Sequence, residues 1–389
     1  IAVRNTALDR DVPVDTATFT TDAAALVVDP EVDVVVEVMG GIEPARGLVS
    51  AALAAGKPVV TANKELLANH GAELYGAAEA AGVDLLFEAA VAGAIPIMRP
   101  LRESLAGEPI KRVMGIVNGT TNFILSRMAD DGASYADALA EAQSLGYAER
   151  DPTADVEGFD AGAKAAIIAT VAFGARVVAG DVYHEGISGI TVADIEFAAD
   201  LQHCIKLLAV VERTVASDGG FQIGVRVHPT LVPLDHPLAS VRGSFNAVFV
   251  EGGAAGDLMF YGRGAGGRPT ASAVLGDLID AAGNLRQGHS ASIGALERAR
   301  IAPIDDVTSA FYLNVEVDDR PGVLAQVATV FGEHGVSIRS MEQEGLGGEA
   351  RLVFITHAAR ERDLRSTLQD LRSLDAVRSV GSVLRVIGD

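Results

Sequence analysis

The run Val32-Asp33-Val34-Val35-Val36-Glu37-Val38-Met39-Gly40-Gly41 is a nearly continuous apolar stretch that ends in two glycines. A strand buried on both faces of a parallel sheet has this composition, because neither face meets water. Beyond Gly41 the chain alternates helix and strand. Pro44 opens a helix that Gly56 ends, which fits the preference for proline first and glycine last. Pro58–Thr61 reads as a second strand, Lys64–Ala81 as a helix stopped by Gly82, and Asp84–Glu88 as a third strand. Strands alternating with helices predict a doubly wound parallel sheet of Rossmann type, which binds ligands beyond the carboxyl ends of its strands. Arg4, Met39-Gly40-Gly41, Thr61-Ala62-Asn63-Lys64 and Glu88 all fall there.

Working outward, the pattern changes near Pro96. Lys111–Asn118 reads as a strand, followed by helical stretches to Val178. Strand-like runs then come at His203–Arg213, Phe221–His228, Asn246–Glu251 and Asp257–Tyr261, and a helix from about Pro269 to Ala281. This is an α+β unit. In the last stretch, strands at Tyr312–Val317, Val336–Glu342, Ala350–Thr356 and Val377–Val386 interleave with helices at Pro321–His334 and Leu364–Leu371. That order is βαββαβ, a ferredoxin-like unit. The expected domains are an incomplete nucleotide-binding domain at 1–95, a catalytic, substrate-binding and dimerisation domain at 96–308, and a regulatory domain at 309–389.

The formal charge of −21, from 52 acids against 31 bases, argues against nucleic acid or an anionic membrane as partner, since both need a basic footprint. A few local cations still suffice for one anionic cofactor. No apolar run approaches the roughly 18–20 residues of a membrane span, and no leader opens the chain. A single cysteine, Cys204, leaves no intramolecular disulfide. The expected location is the cytoplasm.

The densest constellation is Ala142-Gln143-Ser144-Leu145-Gly146-Tyr147-Ala148-Glu149-Arg150-Asp151-Pro152-Thr153-Ala154-Asp155-Val156-Glu157-Gly158-Phe159-Asp160, then Lys164. Its residues predict a helix ending at Gly146, a turn at Asp151-Pro152 and a helix starting near Gly158. Asp160 and Lys164, four apart, then share a helix face. At Ala142, Gly146, Asp151-Pro152, Asp155, Gly158, Asp160 and Lys164 the stretch resembles the homoserine dehydrogenase signature. The resemblance extends through Thr61–Lys64, Glu88-Ala89-Ala90-Val91-Ala92-Gly93, Gly119-Thr120-Thr121-Asn122 and a late glycine-rich loop, and so covers essentially the whole chain.

The resemblance implies reversible NAD(P)H-dependent reduction of L-aspartate 4-semialdehyde to L-homoserine, within threonine and methionine biosynthesis. It implies Lys164 as proton donor and acceptor, with Asp160 and Lys64 as the other catalytic residues. Glu149, Asp155, Asp160 and Lys64 would bind substrate. Such chemistry requires a cation beside the carbonyl oxygen and a proton for the alkoxide, and a zwitterionic substrate requires acids opposite lysines. Cofactor contacts would come from Arg4, Lys64, Gly146, Gly264 and Gly266. A sodium ion would sit on Glu88, Val91, Gly93 and Ile95, mostly through backbone carbonyls, as suits a hard cation.

Gly262-Arg263-Gly264-Ala265-Gly266-Gly267 matches G-x-G-x-x-G, but it follows an antiparallel-looking strand deep in the chain and is not read as a dinucleotide fingerprint. The true fingerprint is expected before Ile1, on a first strand–helix unit of about 30 to 45 residues that this sequence lacks. Arg4, after what would be the second strand, suits a 2′-phosphate, so NADP is expected over NAD.

Asp318-Asp319-Arg320-Pro321-Gly322-Val323-Leu324 and Gly335-Val336-Ser337-Ile338 resemble an ACT domain. That implies an amino-acid effector, threonine as the expected one, and a homo-oligomer, dimer or tetramer. Two alternatives stay open: a catalytically inactive ACT-type sensor, and a dehydrogenase of another small amino or hydroxy acid. Aspartate semialdehyde dehydrogenase would need a thiolate nucleophile, whereas Cys204 lies in an apolar-flanked strand and reads as structural.

Overall fold

The computed structural model describes every residue except 9, 11–13, 16–17, 217, 295, 299, 346 and 388–389. Its contacts divide the chain into two units. One comprises 1–107, 166–180 and 263–298; the other comprises 108–165, 181–262 and 299–389.

The first unit holds the parallel sheet, with β1 (Val35–Glu37), β2 (Val59–Thr61) and β3 (Leu85–Leu86) in that order. Each strand is short and β2 is buried along its length. The connecting helices are Ala45–Ala54 and Lys64–Ala81. Asn63 caps the second by accepting Leu66 N at 3.0 Å, and Gly82 ends it in the left-handed conformation that glycine adopts without strain. The late helix Gly267–Gln287 returns to this sheet, packing Val274 and Ala281 against Val60 and Leu86. Ile1–Val3 makes a single parallel bridge, Ala2 to Thr20, and no full strand. Among the described residues β1 is an outer strand of this sheet.

The second unit is built on one large sheet. Its main strands are β4 (Ile110–Ile116), β5 (His203–Val215), β6 (Phe221–Pro233), β7 (Phe245–Gly252), β8 (Asp257–Arg263), β9 (Thr308–Asp318), β10 (Ile338–Gly345), β11 (Glu349–Thr356) and β12 (Val377–Val386), with two-residue strands at Tyr183–His184 and Ala359–Arg360 beside them. Their order is β8-β7-β4-β5-β6-β12-β9-β11-β10. Antiparallel β5 and β6 run in register from His203 opposite Pro233 to Val215 opposite Phe221. Met114, Ile116, Leu208, Val210, Val232 and Phe249 form the core at this end.

At the other end, helices Val323–Glu333 and Glu361–Leu371 cover β9–β12 over Phe311, Leu313, Val327, Phe331, Phe354 and Leu364. The order β12-β9-β11-β10 is that of the ferredoxin-like βαββαβ fold expected from the sequence. The join was not foreseen: β12 pairs parallel with β6, Arg385 opposite Thr230 and Val386 opposite Leu231, so one sheet spans both parts. Helix Val192–Asp200 was not foreseen either. A capping box starts it, Thr191 and Asp194 each bonding the other's backbone N–H. No described helix is long and apolar enough to cross a membrane.

Candidate active site

In the second unit β4 ends at Ile116, and the chain turns through Val117 and Asn118 into helix Gly119–Asp131. Only glycine fits position 119, where a Cβ would lie 2.7 Å from the carbonyl oxygen of Ser244. Opposite this turn, helix Phe159–Phe173 places Asp160 and Lys164 one turn apart. Lys164 Nζ donates to Asp160 Oδ2 and to the Val117 carbonyl, both at 2.6 Å. Asp160 and Lys164 are 8% and 9% exposed, which makes the pair a desolvated one held by hydrogen bonds. Asn118 Nδ2 donates to Asp155 Oδ1 at 2.7 Å and to Asp160 Oδ2 at 2.9 Å.

Two local devices fold the signature loop onto this turn. Thr120 Oγ1 donates to the Tyr147 carbonyl at 2.7 Å, and the Phe123 and Tyr147 rings lie 5.0 Å apart. Further along, Gly158 has a φ of +85° and sits where a Cβ would press Val227 and the Glu185 carbonyl. Asp151 accepts Thr153 N and Oγ1 at the start of helix Thr153–Val156, and these bonds, the hydroxyl's first, hold its carboxyl below its ordinary pKa.

The structure thus brings Asp155, Asp160 and Lys164 together. Glu149 is exposed on the same loop, and Gly146 makes the left-handed turn before it. Lys64 lies in the first unit, as the first residue of its helix. Sequence reasoning missed Asn118. Its signal was available, an asparagine between a strand and Gly-Thr-Thr at a helix N-cap.

In the first unit, Glu37 at the end of β1 organises the loop beyond it. Its Oε1 accepts Met39 N at 2.8 Å and Gly40 N at 3.2 Å, and its Oε2 accepts Thr61 Oγ1 at 2.6 Å. Gly40 and Gly41 are both left-handed, and a Cβ on either would meet nothing within 4 Å. This bare, open backbone at the carboxyl end of a parallel strand fits a dinucleotide cofactor. Arg4 is exposed.

The late glycine loop closes on the same unit. Gly264 meets Gly93 so tightly that a Cβ on Gly93 would lie 2.4 Å from the Gly264 carbonyl oxygen, and Ala94 N donates to Arg263 O at 3.2 Å. Gly266 precedes helix Gly267–Gln287 as its N-cap.

The Glu88 carboxylate accepts the backbone N–H of Ile97, Met98 at 2.7 Å and Arg99 at 2.9 Å, capping the helical segment that begins there. Asp277 accepts the Glu88 N–H at 2.7 Å, and burial pushes its carboxyl up to about 6. With the Glu88 carboxylate so engaged, a cation in Glu88–Ile95 would rest on carbonyl oxygens. Ala92 and Gly93, with φ of +56° and +58°, give the tight left-handed turn that can aim several carbonyls at one point. Among the described residues no group of three or more His, Cys, Asp or Glu side chains could hold a metal. A carbonyl-bound hard cation therefore fits this turn better than a transition metal. Burial raises the pKa of Cys204, as befits a structural thiol.

Family comparisons agree along the length of the chain. Residues 96–279 match a family model described as homoserine dehydrogenase, residues 1–88 one described as homoserine dehydrogenase, NAD binding domain, and residues 311–376 an ACT domain. A homoserine dehydrogenase from Corynebacterium glutamicum is 57% identical over 372 residues, spanning 95% of this chain and 84% of its own length. The crystal structure of a homoserine dehydrogenase from Thiobacillus denitrificans superposes with a TM-score of 0.90 at 43% identity, covering 95% of this chain and 85% of that one. A hyperthermophilic archaeal homoserine dehydrogenase, solved in complex with NADPH, gives a TM-score of 0.58 at 34% identity over 67% of this chain and 74% of its own.

Proposed function

We propose, because this chain belongs to the homoserine dehydrogenase family, that its Lys164–Asp160 pair serves the reversible reduction of L-aspartate 4-semialdehyde to L-homoserine. A nicotinamide cofactor supplies the hydride when bound, and Arg4 favours NADP through its 2′-phosphate. The Lys164 ammonium, steered by Asp160 and the Val117 carbonyl, faces the developing oxyanion and delivers its proton to the alkoxide. Asp155 and Glu149 take the substrate ammonium. Lys64, at the start of its helix, serves the cofactor and substrate carboxylate, and Gly146, Gly264 and Gly266 line the cofactor with bare backbone. A sodium ion on the carbonyls of Glu88, Val91, Gly93 and Ile95 would stiffen that turn.

The division at 1–95, 96–308 and 309–389 is kept as one of roles: nucleotide binding, chemistry with subunit pairing, and regulation. The regulatory part binds threonine at the Asp318–Gly322 turn, and the enzyme works as a cytoplasmic homo-oligomer.

The observation that carries the reading is a buried lysine bound to a buried aspartate beside a second carboxylate, at the positions the family's signature marks. Its test is Lys164→Met in the full-length protein. Turnover should fall by about 10²–10⁴ with cofactor affinity kept. A variant holding more than about a third of wild-type kcat at saturating substrate would take Lys164 out of the chemical step.

A further inference from the structure

The side-chain amide of Asn118 is hydrogen-bonded at both ends within this site. Its Oδ1 accepts Thr121 N at 2.9 Å and Thr121 Oγ1 at 3.1 Å, while its Nδ2 gives one hydrogen to Asp155 and one to Asp160. The helix cap fixes which way round the amide lies. With its ends exchanged, NH₂ would face the Thr121 N–H and the oxygen would face two carboxylates. The residue is 4% exposed, so no water-facing alternative competes. Its neighbour Val117 holds the Lys164 ammonium from the adjacent carbonyl, so two consecutive residues set both ends of the reactive pair.

Two carboxylates brought to one donor repel each other unless something positive lies between them. A lysine or arginine would do this, but with Lys164 it would cancel the charge of both acids. An amide supplies two N–H dipoles and no charge. The donor therefore brings the two carboxyl groups together without adding a cation of its own. We infer that Asn118 is a positioning residue for the reduction: it holds the Asp155 and Asp160 carboxyl groups in one geometry through an uncharged donor. The inference rests on Lys164 and Asp160 being the reaction centre.

Two substitutions that keep the helix cap separate this role from a merely structural one. Serine and aspartate cap helices about as well as asparagine, so Asn118→Ser should leave the thermal midpoint within a few degrees of wild type, and Asn118→Asp should lower it only through the repulsion of its buried carboxylate, with kinetics read well below both midpoints. Asn118→Ser loses the reach to the carboxylates. Its kcat/KM for the semialdehyde should fall about ten- to a hundredfold, while the KM for the nicotinamide cofactor stays within about twofold. Asn118→Asp, although nearest in shape, puts a third carboxylate against the other two and should be the worse variant. A purely structural cap predicts the opposite order. The inference is overturned if Asn118→Asp keeps near-wild-type kcat/KM, or if the losses appear equally in the cofactor KM. Lys164→Met, run beside these, separates the two failures. An inactive lysine variant with unaffected Asn118 variants sinks only the positioning role, whereas an active lysine variant sinks the reaction centre itself.

Discussion

Arg385 on β12 grips Glu185 through two parallel N–H···O bonds, at 2.8 and 2.9 Å, and its other edge bonds Glu361. β12 of the βαββαβ part is therefore tied to Glu185, outside that part, through a buried guanidinium. Glu185 adjoins the site. Its N–H donates to Val227 O at 2.8 Å, a Cβ on the next residue, Gly186, would lie 2.4 Å from Val156 O, and Ile187 N donates to that same carbonyl at 2.8 Å. Val156 follows Asp155 directly. An unbroken run of packed groups thus joins Glu361 of the βαββαβ part to the segment that carries Asp155.

Arg385→Met should destabilise the protein by about 3–5 kcal/mol at neutral pH, because it leaves Glu361 buried and Glu185 half-buried without their cation. The deficit depends on pH with a definite sign. Burial alone would raise the Glu185 carboxyl, but the bonds from Arg385 outweigh it and hold the carboxyl below its ordinary value. A carboxyl depressed in the folded state stabilises above its unfolded pKa, about 4.3, and that contribution is lost as pH falls through the folded value. Denaturant melts of both proteins at pH 7.5 and below pH 4 should show a gap that narrows with acid. A gap of constant size would mean that Glu185 draws nothing from Arg385.

Why this pair escaped sequence reasoning is physical. Thr230 and Arg385 lie far apart in the chain, and a strand that gains a parallel neighbour at one end carries no periodicity to announce it. The βαββαβ unit and the Rossmann-type alternation were legible because each repeats a local pattern of apolar residues and glycine stops. Lys164 and Asp160 were legible as a helical pair four residues apart. Asn118 was legible only as a helix cap, since the carboxyl groups it also holds come from two other helices. Glu88 illustrates a different limit: an acid that caps a helix through three N–H groups looks, in sequence, like any acid available to a ligand.

Gly93→Ala should be costly in two ways. Position 93 has a φ of +58°, where a side chain adds about 1–2 kcal/mol of strain, and the Cβ would meet Gly264 backbone at 2.4 Å, where no flexible side chain can yield. We expect a lower melting temperature and, since the 264–266 loop is proposed to line the cofactor, a raised KM for it. Gly107→Ala is the control, because a Cβ there meets nothing within 4 Å. Equal melting temperatures for the two variants would show that the glycine loop moves aside freely.

Arg4→Ala should weaken NADPH more than NADH. Only NADPH carries a 2′-phosphate, and losing a charge-assisted hydrogen bond to it should cost about 1.5–3 kcal/mol. Arg4 stands exposed, so its removal leaves no buried group unpaired and folding should not suffer. Titrating both cofactors against wild type and variant decides the matter. Parallel losses for the two would place Arg4 away from the ribose.

Deleting the chain from residue 309 onward should abolish inhibition by threonine and also weaken the catalytic part. The first expectation comes from location: Asp155, Asp160 and Lys164 are assembled before residue 165, and the proposed effector turn lies at Asp318–Gly322. An effector bound there acts only by shifting a balance between two arrangements that it binds unequally. The second expectation comes from the sheet. β12 covers β6 at Thr230 and Leu231, both fully buried, so deletion bares a strand edge and leaves Glu185 without Arg385. Truncated protein should turn over substrate at low temperature, melt several degrees below the full-length enzyme and associate as concentration rises. Kinetics with and without threonine, alongside light scattering, read all three. Undiminished inhibition after truncation would move the sensor elsewhere in the chain, and unchanged melting would mean that β6 does not depend on its regulatory neighbour.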